Sequence, residues 1–292
     1  MSETTAAGWG EGLGAAWAAL RCPVCHGVMR AAGPADGSGD EAQGLLCGVG
    51  HRFDRARQGY VTLRSGHKNS QNADTAPMVM ARERLLAGGW YEPIATALAQ
   101  AVKAHARPEG VLVDLAGGTG YYGAAVLDAL PGWEGICLDI STPALKRAAR
   151  AHGRLVAVGG DALGRLPLGD GTADAVVSVF GPRVPEEIAR VLAPGGVLAV
   201  VTPMPGHLAE VQQAVDGVAI HPGKPERLAQ QFASLTRVAS EEVVKGVTFS
   251  AQAARDVVLM GPTGHHHAEA DIDAATLPTA TTIAVRIDVW KA

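Results

Sequence analysis

Four potential metal ligands lie near the beginning of the chain. Cys22 and Cys25 form a CxxC pair, and Cys47 and His51 form a CxxxH pair. Zn²⁺ binds four sulfur and nitrogen donors in a tetrahedron, and two short-spaced pairs can meet at one ion through tight turns. Because the protein then fills every position, we predict a structural zinc site. His26 directly follows Cys25, and we expect its side chain to point away from the site.

Three acidic residues that could bind a ligand follow apolar runs. Asp114 lies in "VLVDLAGGTGYYG", Asp139 ends "GICLD", and Asp161 follows "VAVGG". Glycines after a strand let the backbone approach a ligand at the carboxyl edge of a parallel sheet. An acid after the next strand can accept from both ribose hydroxyls, and the third could meet an adenine amino group. The loop has neither the Lys of a Walker A motif nor the GxGxxG spacing. Strand-end capping is the alternative role for Asp114 and Asp139.

The elements that must position these acids are strands alternating with helices. Five apolar runs are predicted strands: "GVLVDLAGG", "GICLDIS", "VAVGGDA", "ADAVVSVF" and "GGVLAVVTP". Helical stretches such as "TPALKRAARAH" lie between them, and we expect Thr142 to cap that helix with Pro143 in its first turn. This alternation predicts a parallel sheet covered on both faces. The final "ATTIAVRIDVWKA" predicts a last strand at the sheet edge.

Composition changes along the chain predict four parts. The first part is a tail of small residues with a predicted short helix around Trp17. In the second part short apolar runs are interrupted by Gly, Pro and Asp, which predicts a small β-rich module. Two helices come next, the first starting near Thr75 and ending at Gly88-Gly89, the second starting near Pro93. The predicted parts are the tail 1–20, the zinc-binding module 21–66, the helical linker 67–108 and the sheet domain 109–292.

The composition is that of a globular protein. Of the 292 residues, 47% are apolar and 18% are charged. No apolar run reaches membrane-span length, and the first residues do not resemble a signal peptide. We therefore expect a cytoplasmic protein, in which cysteines bind metal or pack in the core rather than form disulfides. A redox-active CxxC with an unrelated Cys47 is disfavoured because no βαβ pattern surrounds the pair.

The charge is unevenly distributed, although the net charge is only −4. Between His51 and Arg84 seven basic residues stand against three acidic ones. Such a patch on an acidic body can attract a polyanion to one face, and an ordinary solvated surface is the alternative. The basic residues are Arg52, Arg55, Arg57, Arg64, Lys68, Arg82 and Arg84.

The glycine loop resembles motif I of class I S-adenosylmethionine-dependent methyltransferases. The CxxC…CxxxH knuckle is followed by "HRFDRARQGYVTL", "MVMARERLLAGGWYEPI", this loop and "VFGPRVPEEIARVLAPGGVLAVVTPMPGHL". That order, over roughly residues 20–265, resembles the zinc-binding 23S rRNA (guanine-N1)-methyltransferases, a family with housekeeping and macrolide-resistance members. The resemblance implies a Rossmann-like α/β sheet, S-adenosylmethionine and structural Zn²⁺ as cofactors, and 23S rRNA or a large-subunit precursor as partner. Dimerisation and the choice of guanine stay open.

The resemblance also assigns roles to residues. The four knuckle residues would bind zinc. By this resemblance His207, in "PGHL", lies at the cofactor pocket; it is the candidate catalytic residue and would contact both donor and base. Independently of the resemblance, Arg183, in the loop after the fourth predicted strand, could face guanine O6, with a phosphate contact or an ordinary surface arginine as the alternatives. The predicted donor-binding residues are Tyr91, Asp114, Gly117, Gly118, Thr119, Gly120, Asp139, Asp161 and His207. The predicted RNA-binding residues are Arg52, Arg55, Arg57, Arg64, Lys68 and Arg183.

Two departures from the family pattern keep other functions open. Ala116 replaces the usual first glycine of the loop and should tighten the turn slightly. His265 stands where the family often has a tryptophan, and we expect His265–His267 to form a solvated loop, with adventitious metal binding as the alternative. One rival function is a small-molecule methyltransferase derived from the RNA enzymes. The other is a zinc-bearing binding module with an inactive cofactor fold.

Overall fold

The computed structural model describes residues 14–33, 42–64, 73–215, 224–261, 272 and 276–292. The helices are α1 (Ala15–Ala18), α2 (Ala76–Ala87), α3 (Glu92–Lys103), α4 (Tyr121–Ala129), α5 (Thr142–Ala148), α6 (Pro185–Val191), α7 (Ala209–Ala214), α8 (Lys224–Gln231) and α9 (Ala251–Met260). The strands are β1 (Met29–Ala32), β2 (Gly44–Cys47), β3 (Arg52–Asp54), β4 (Val61–Thr62), β5 (Gly110–Leu115), β6 (Trp133–Asp139), β7 (Leu155–Gly159), β8 (Ala173–Val179), β9 (Leu192–Pro203), β10 (Thr236–Thr248) and β11 (Ala280–Lys291).

The main sheet has eight strands in the order β10-β11-β9-β8-β5-β6-β7-β4. Strands β4 to β9 pair in parallel, and β10 and β11 pair antiparallel. The five predicted strands are confirmed as β5 to β9, and their continuous apolar sequences reflect burial on both faces. Strand order therefore places the ends of β5, β6 and β8 together at the centre of one edge.

The prediction that the last strand lies at the sheet edge is wrong. β11 lies between β9 and β10, and β10 forms the edge. Most β10 side chains are exposed, and charged and polar residues interrupt its valines, so its sequence lacks the continuous apolar run of the other strands. The strand that covers β11 was consequently missed.

Two apolar layers cover the sheet. Helices α2, α3, α4 and α9 contribute to the core on one face. On the other face Trp17 from α1, Cys22 and Cys47 of the knuckle and Ile188 from α6 join the second core. The predicted short helix around Trp17 is confirmed, and the tryptophan is almost fully buried.

The N-terminal module contains a three-stranded antiparallel sheet that is separate from the main sheet. Its strands are β1, β2 and β3, and β4, a few residues later, pairs with β7 in parallel. The module is therefore tied to the sheet that carries the three acids.

The first of the two helices before β5 begins and ends as predicted, and the second begins as predicted near Pro93. Helix α2 follows Thr75, has a proline in its first turn and ends at Gly88, and α3 begins at Glu92. The predicted cap of α5 is wrong by one residue, because Ser141 Oγ, rather than Thr142, accepts from the Ala144 amide at 3.3 Å. Among the described residues no helix is both long and apolar enough to cross a membrane.

Candidate active site and metal centre

The four knuckle side chains converge at the edge of the N-terminal module. Cys22 precedes a tight turn, Cys47 ends β2, and His51 directly precedes β3. Their ligand atoms all lie within 4.8 Å of one another. Cys25 Sγ is 3.6 Å from Cys47 Sγ, and His51 Nδ1 is 3.3 Å from Cys47 Sγ. Sulfur ligands at about 2.3 Å from Zn²⁺ lie about 3.8 Å apart in a tetrahedron, so the donor set fits a zinc ion held through Nδ1.

The environment of Cys47 favours its thiolate. Although burial acts in the opposite direction, the amides of Val49 and His51 lower the pKa of Cys47 to about 6. The His51 amide lies 3.2 Å from the Cys47 sulfur. The thiolate is the form that binds metal. His26 is exposed and lies outside the cluster, as expected.

The glycine loop is held by Asp114 at the end of β5. Asp114 Oδ2 accepts from the Gly123 amide at 3.0 Å and so joins the strand to the first turn of α4. Burial raises the pKa of Asp114 to about 7. Gly118 and Gly120 have φ angles of +58° and +78°, in the left-handed region that favours glycine. Asp114 thus anchors the end of the glycine loop to strand β5 through the Gly123 amide.

Ala116, the residue that departs from the family pattern, is also left-handed, with φ +55°. A Cβ atom makes this conformation unfavourable by roughly 1–2 kcal/mol. The alanine therefore strains the turn, a stronger effect than the slight tightening that the sequence predicts.

Asp139 lies directly beside this loop. Its Oδ2 accepts from the Gly118 amide at 2.8 Å and its Oδ1 from the Ser141 amide at 2.7 Å. A carboxylate oxygen can accept two hydrogen bonds, so both oxygens retain capacity for ribose hydroxyls. Burial raises the pKa of Asp139. Asp161 is half-buried, and among the described residues its Oδ1 accepts from the Leu163 amide, at 2.9 Å.

His207 and Phe180 form a pair at the ends of β9 and β8. Their ring centroids are 5.6 Å apart, with 36° between the ring planes. His207 Nδ1 accepts from the Ala284 amide at 3.1 Å, so the neutral ring carries its proton on Nε2. Burial lowers the pKa of His207 to about 4. The imidazole is consequently neutral at physiological pH and offers Nε2–H as a donor.

Phe180 is a strained, exposed aromatic residue. Its φ is +56° and 41% of its surface is accessible. A bulky residue in this region is a conformational outlier, and such strain concentrates at functional sites. The sequence reveals the aromatic residue before Gly181-Pro182, but neither its backbone conformation nor its ring contact.

Two further predicted site residues, Arg183 and Tyr91, are largely buried, in different parts of the fold. Arg183 Nη1 donates to Gly181 O at 3.0 Å, while its buried Nε has no hydrogen-bond partner among the described residues. Burial lowers the pKa of Arg183. Tyr91 is 1% exposed, at the start of α3, and burial raises its pKa while the nearby Arg82 charge opposes the shift. Their assigned contacts with RNA and donor stay predictions.

The basic patch is partly neutralised within the protein. Three of its arginines have carboxylate partners, since Arg52 pairs with Asp54, Arg82 with Asp74 and Arg84 with Asp256. Arg64 Nη1 reaches Ile140 O at 3.5 Å, and Arg57 is exposed. The predicted RNA contact Lys68 and the His265–His267 run lie outside the described residues.

Known proteins resemble this chain over nearly its whole length. A family model described as "Methyltransferase domain" matches residues 112–196, which include all three acids. A protein of Micromonospora griseorubida, named provisionally as a 23S rRNA (guanine-N1)-methyltransferase, is 42% identical over 93% of this chain and 97% of its own. The 23S rRNA (guanine(748)-N1)-methyltransferase of Streptomyces fradiae is 42% identical over 85% of this chain and 86% of its own. A Bacillus subtilis protein with the same provisional name is 29% identical over 66% of this chain and 67% of its own.

Proposed function

Because the chain belongs to the family of 23S rRNA (guanine-N1)-methyltransferases, we propose that it transfers a methyl group from S-adenosylmethionine to N1 of a guanine in 23S rRNA. The observation that carries the proposal is the 42% identity over almost the full length of both proteins. That similarity extends beyond the methyltransferase domain at 112–196. Macrolide resistance is the physiological role that the family suggests for such a methyl group.

The glycine loop and its neighbouring acids would hold the donor. Asp139 would accept from the ribose hydroxyls, Asp161 would meet the adenine, and the backbone of Gly117–Gly120 would lie against the amino-acid end. Tyr91, Thr119 and His207 are assigned to the same site by family resemblance. When bound, the sulfonium supplies an electrophilic methyl group. The protein must align it with the acceptor nitrogen and exclude water.

The acceptor nitrogen must be unpaired and must lose its proton. N1 lies on the Watson–Crick edge, so the guanine has to come from a loop or be extruded. As N1 loses its proton, negative charge develops on O6. We propose that His207 Nε2–H donates to O6, because Nδ1 is already engaged by Ala284. The N1–methyl bond then forms as the sulfur–methyl bond breaks, and the proton passes to solvent.

We predict that His207 causes no titration of activity above pH 6. Its pKa of about 4 keeps it neutral there, whereas a general base would titrate near neutrality. His207→Gln retains both a donor and an acceptor and should keep most of kcat, while His207→Ala should not. A pH–rate profile of the three proteins is the measurement. Loss of an ionisation near pH 6–7 in His207→Gln would contradict the donor role.

The same group makes stability depend on pH. Because its folded pKa of about 4 is lower than the unfolded value of about 6.5, the unfolded state binds protons first as the pH falls. The contribution of His207 is therefore present above pH 6.5 and is lost progressively towards pH 4. Urea unfolding should show this slope in the wild type and a weaker one in His207→Gln.

We propose that Phe180, whose exposed ring contacts His207, stacks on the target base. Stacking of a base on an aromatic side chain contributes about 1–3 kcal/mol. Phe180→Ala should therefore lower kcat/KM for RNA roughly 10- to 100-fold, with no change in the Kd for the donor. Phe180→Tyr, which keeps the aromatic face, should remain active. Equal activity of the Ala and Tyr variants would exclude a stacking role.

The backbone strain at Phe180 allows a second measurement on the same residue. Phe180→Gly relieves the left-handed conformation, so it should be more stable to urea than Phe180→Ala although it is no more active. Lower stability of the glycine variant would contradict the strain.

The zinc module would bind the stem that presents the guanine. Its exposed Arg57 supports contacts with phosphates. The proposed acceptor is 23S rRNA or a large-subunit precursor. We also propose that the chain acts in the cytoplasm as a homodimer. Light scattering with and without RNA tests the dimer.

Donor binding and the salt dependence of methyl transfer test the function. Calorimetry should detect S-adenosylmethionine, and radiolabelled methyl groups should enter 23S rRNA at a rate that falls steeply with salt, because phosphate contacts release counterions. An inactive cofactor fold would bind no donor. The small-molecule alternative, which the missing tryptophan favours, predicts donor binding with no transfer to RNA at any salt concentration.

A further inference from the structure

Arg82, on α2, places its guanidinium over the glycine loop. A Cβ atom added to Gly118 would lie 3.0 Å from Arg82 Nη1 and 3.9 Å from its Cδ. The Gly118 amide donates to Asp139, the residue assigned to the ribose. A ligand bound on this loop would therefore lie next to the guanidinium. The Arg82 side chain is 27% exposed, so a ligand can reach it.

Contacts on both sides hold the guanidinium in place. Arg82 Nη1 forms an ion pair with Asp74, and Nη2 donates to Met260 O at 3.0 Å. Ser141 Oγ donates to Asp74 O at 2.7 Å, which fixes Asp74 beside the turn that follows Asp139. The side chain is thus oriented without a ligand, and such preorganisation reduces the entropic cost of binding.

The charges of the donor decide which of its groups can lie here. S-adenosylmethionine is positive at its sulfonium and amino groups, and its α-carboxylate is its one negative group. A guanidinium repels the first two and binds a carboxylate through short, charge-assisted hydrogen bonds. We propose that Arg82 binds the α-carboxylate of the donor and thereby sets the direction in which the methyl group points. This inference rests on the proposed function.

Asp74 complements this assignment. Its carboxylate, 19% exposed and paired with Arg82, can bind the donor's amino group while Arg82 binds the carboxylate. The ion pair then acts as a receptor for a zwitterionic amino acid, one charge for each end. A ligand that lacks the carboxylate would leave Arg82 with Asp74 alone.

A purely structural role for Arg82 is the competing explanation, since its bond to Met260 ties α2 to the end of α9. Arg84 offers a matched control on the same helix. It ties α2 to α9 through Asp256, with N–O distances of 2.6 and 3.0 Å, and Asp256 is almost fully buried. Arg84→Gln therefore breaks a contact between the same two helices, and Arg84 is assigned no donor contact.

The test compares two donors on each protein by calorimetry. Decarboxylated S-adenosylmethionine keeps the sulfonium and the amino group but has no carboxylate. The wild type should bind S-adenosylmethionine roughly 10- to 100-fold more tightly than the decarboxylated form. Arg82→Gln should bind the two donors with about equal affinity, and Arg82→Lys should retain part of the preference for S-adenosylmethionine. Arg84→Gln should lose stability and keep the wild-type preference.

The possible outcomes are distinct. Equal weakening of both ligands in Arg82→Gln, or an unchanged preference in Arg82→Lys and Arg82→Gln, would overturn the carboxylate contact and leave the proposed function intact. Failure of the wild type to bind either donor would overturn the proposed function itself. Should Arg82→Gln fail to fold, the preference of the charge-conserving Arg82→Lys variant decides, and an undiminished value counts against the proposal.

Discussion

Cys47→Ser is expected to release the bound zinc, unfold the N-terminal module and reduce rRNA methylation to background. Structural zinc sites contribute about 10–16 kcal/mol of binding free energy in zinc-finger peptides at neutral pH. The described part of the module has three short strands of its own, too little core for independent stability. Cys47 is 1% exposed and belongs to the apolar layer against the main sheet, so the melting temperature should also fall.

Zinc content, thermal melting and methylation measured on the same preparations check this prediction. His26→Ala is the matched control, because His26 is exposed and lies outside the ligand cluster. It should keep one zinc per chain and full activity. A Cys47→Ser protein that retains both zinc and rRNA methylation would show that the cluster is not the metal site that supports the module.

Asp139→Ala is expected to abolish detectable donor binding. The substitution removes the two oxygens assigned to the ribose, and it leaves the Gly118 and Ser141 amides without their acceptors. A lost charge-assisted hydrogen bond costs about 1.5–3 kcal/mol, so two such losses weaken binding by roughly a hundredfold or more. Asp161→Ala should weaken binding less, because Asp161 orders a single local amide.

Calorimetry with S-adenosylmethionine measures these affinities. Asp128→Asn is a suitable control, since Asp128 is an exposed acid whose contact is with His152. Because burial raises the pKa of Asp139, donor affinity should also weaken as the pH falls into the acidic range, through protonation of the carboxylate. Wild-type affinity in Asp139→Ala would remove the donor from this edge of the sheet.

The parts of the fold that sequence could predict are those where burial controls residue type. Strands β5 to β9 are continuous apolar runs because both of their faces are covered. Strand β10 is exposed along most of its length, so its sequence carries no such signal, and the position of β11 was predicted wrongly. The pairing of β4 with β7 depends on two residues, too few to form a pattern.

Some features of the candidate site could likewise be predicted from the sequence, and others depend on tertiary structure. Cysteine spacing predicts the metal cluster, and acids after apolar strands predict the donor edge, because both signals are local in sequence. Arg82 approaches Gly118 only through the packing of α2 on the sheet. The strain at Phe180 is a backbone property, and the tautomer of His207 depends on the distant Ala284 amide. These features follow from tertiary structure and could not be predicted from spacing.

Primer extension on 23S rRNA tests the central claim most directly. An N1 methyl group blocks Watson–Crick pairing, so reverse transcriptase stops at the modified guanine. RNA from cells that express the wild-type chain should give one new stop, at an unpaired guanine, and RNA from cells that express Asp139→Ala or Cys47→Ser should give none. A wild-type lane identical to that of cells without the protein would contradict the account.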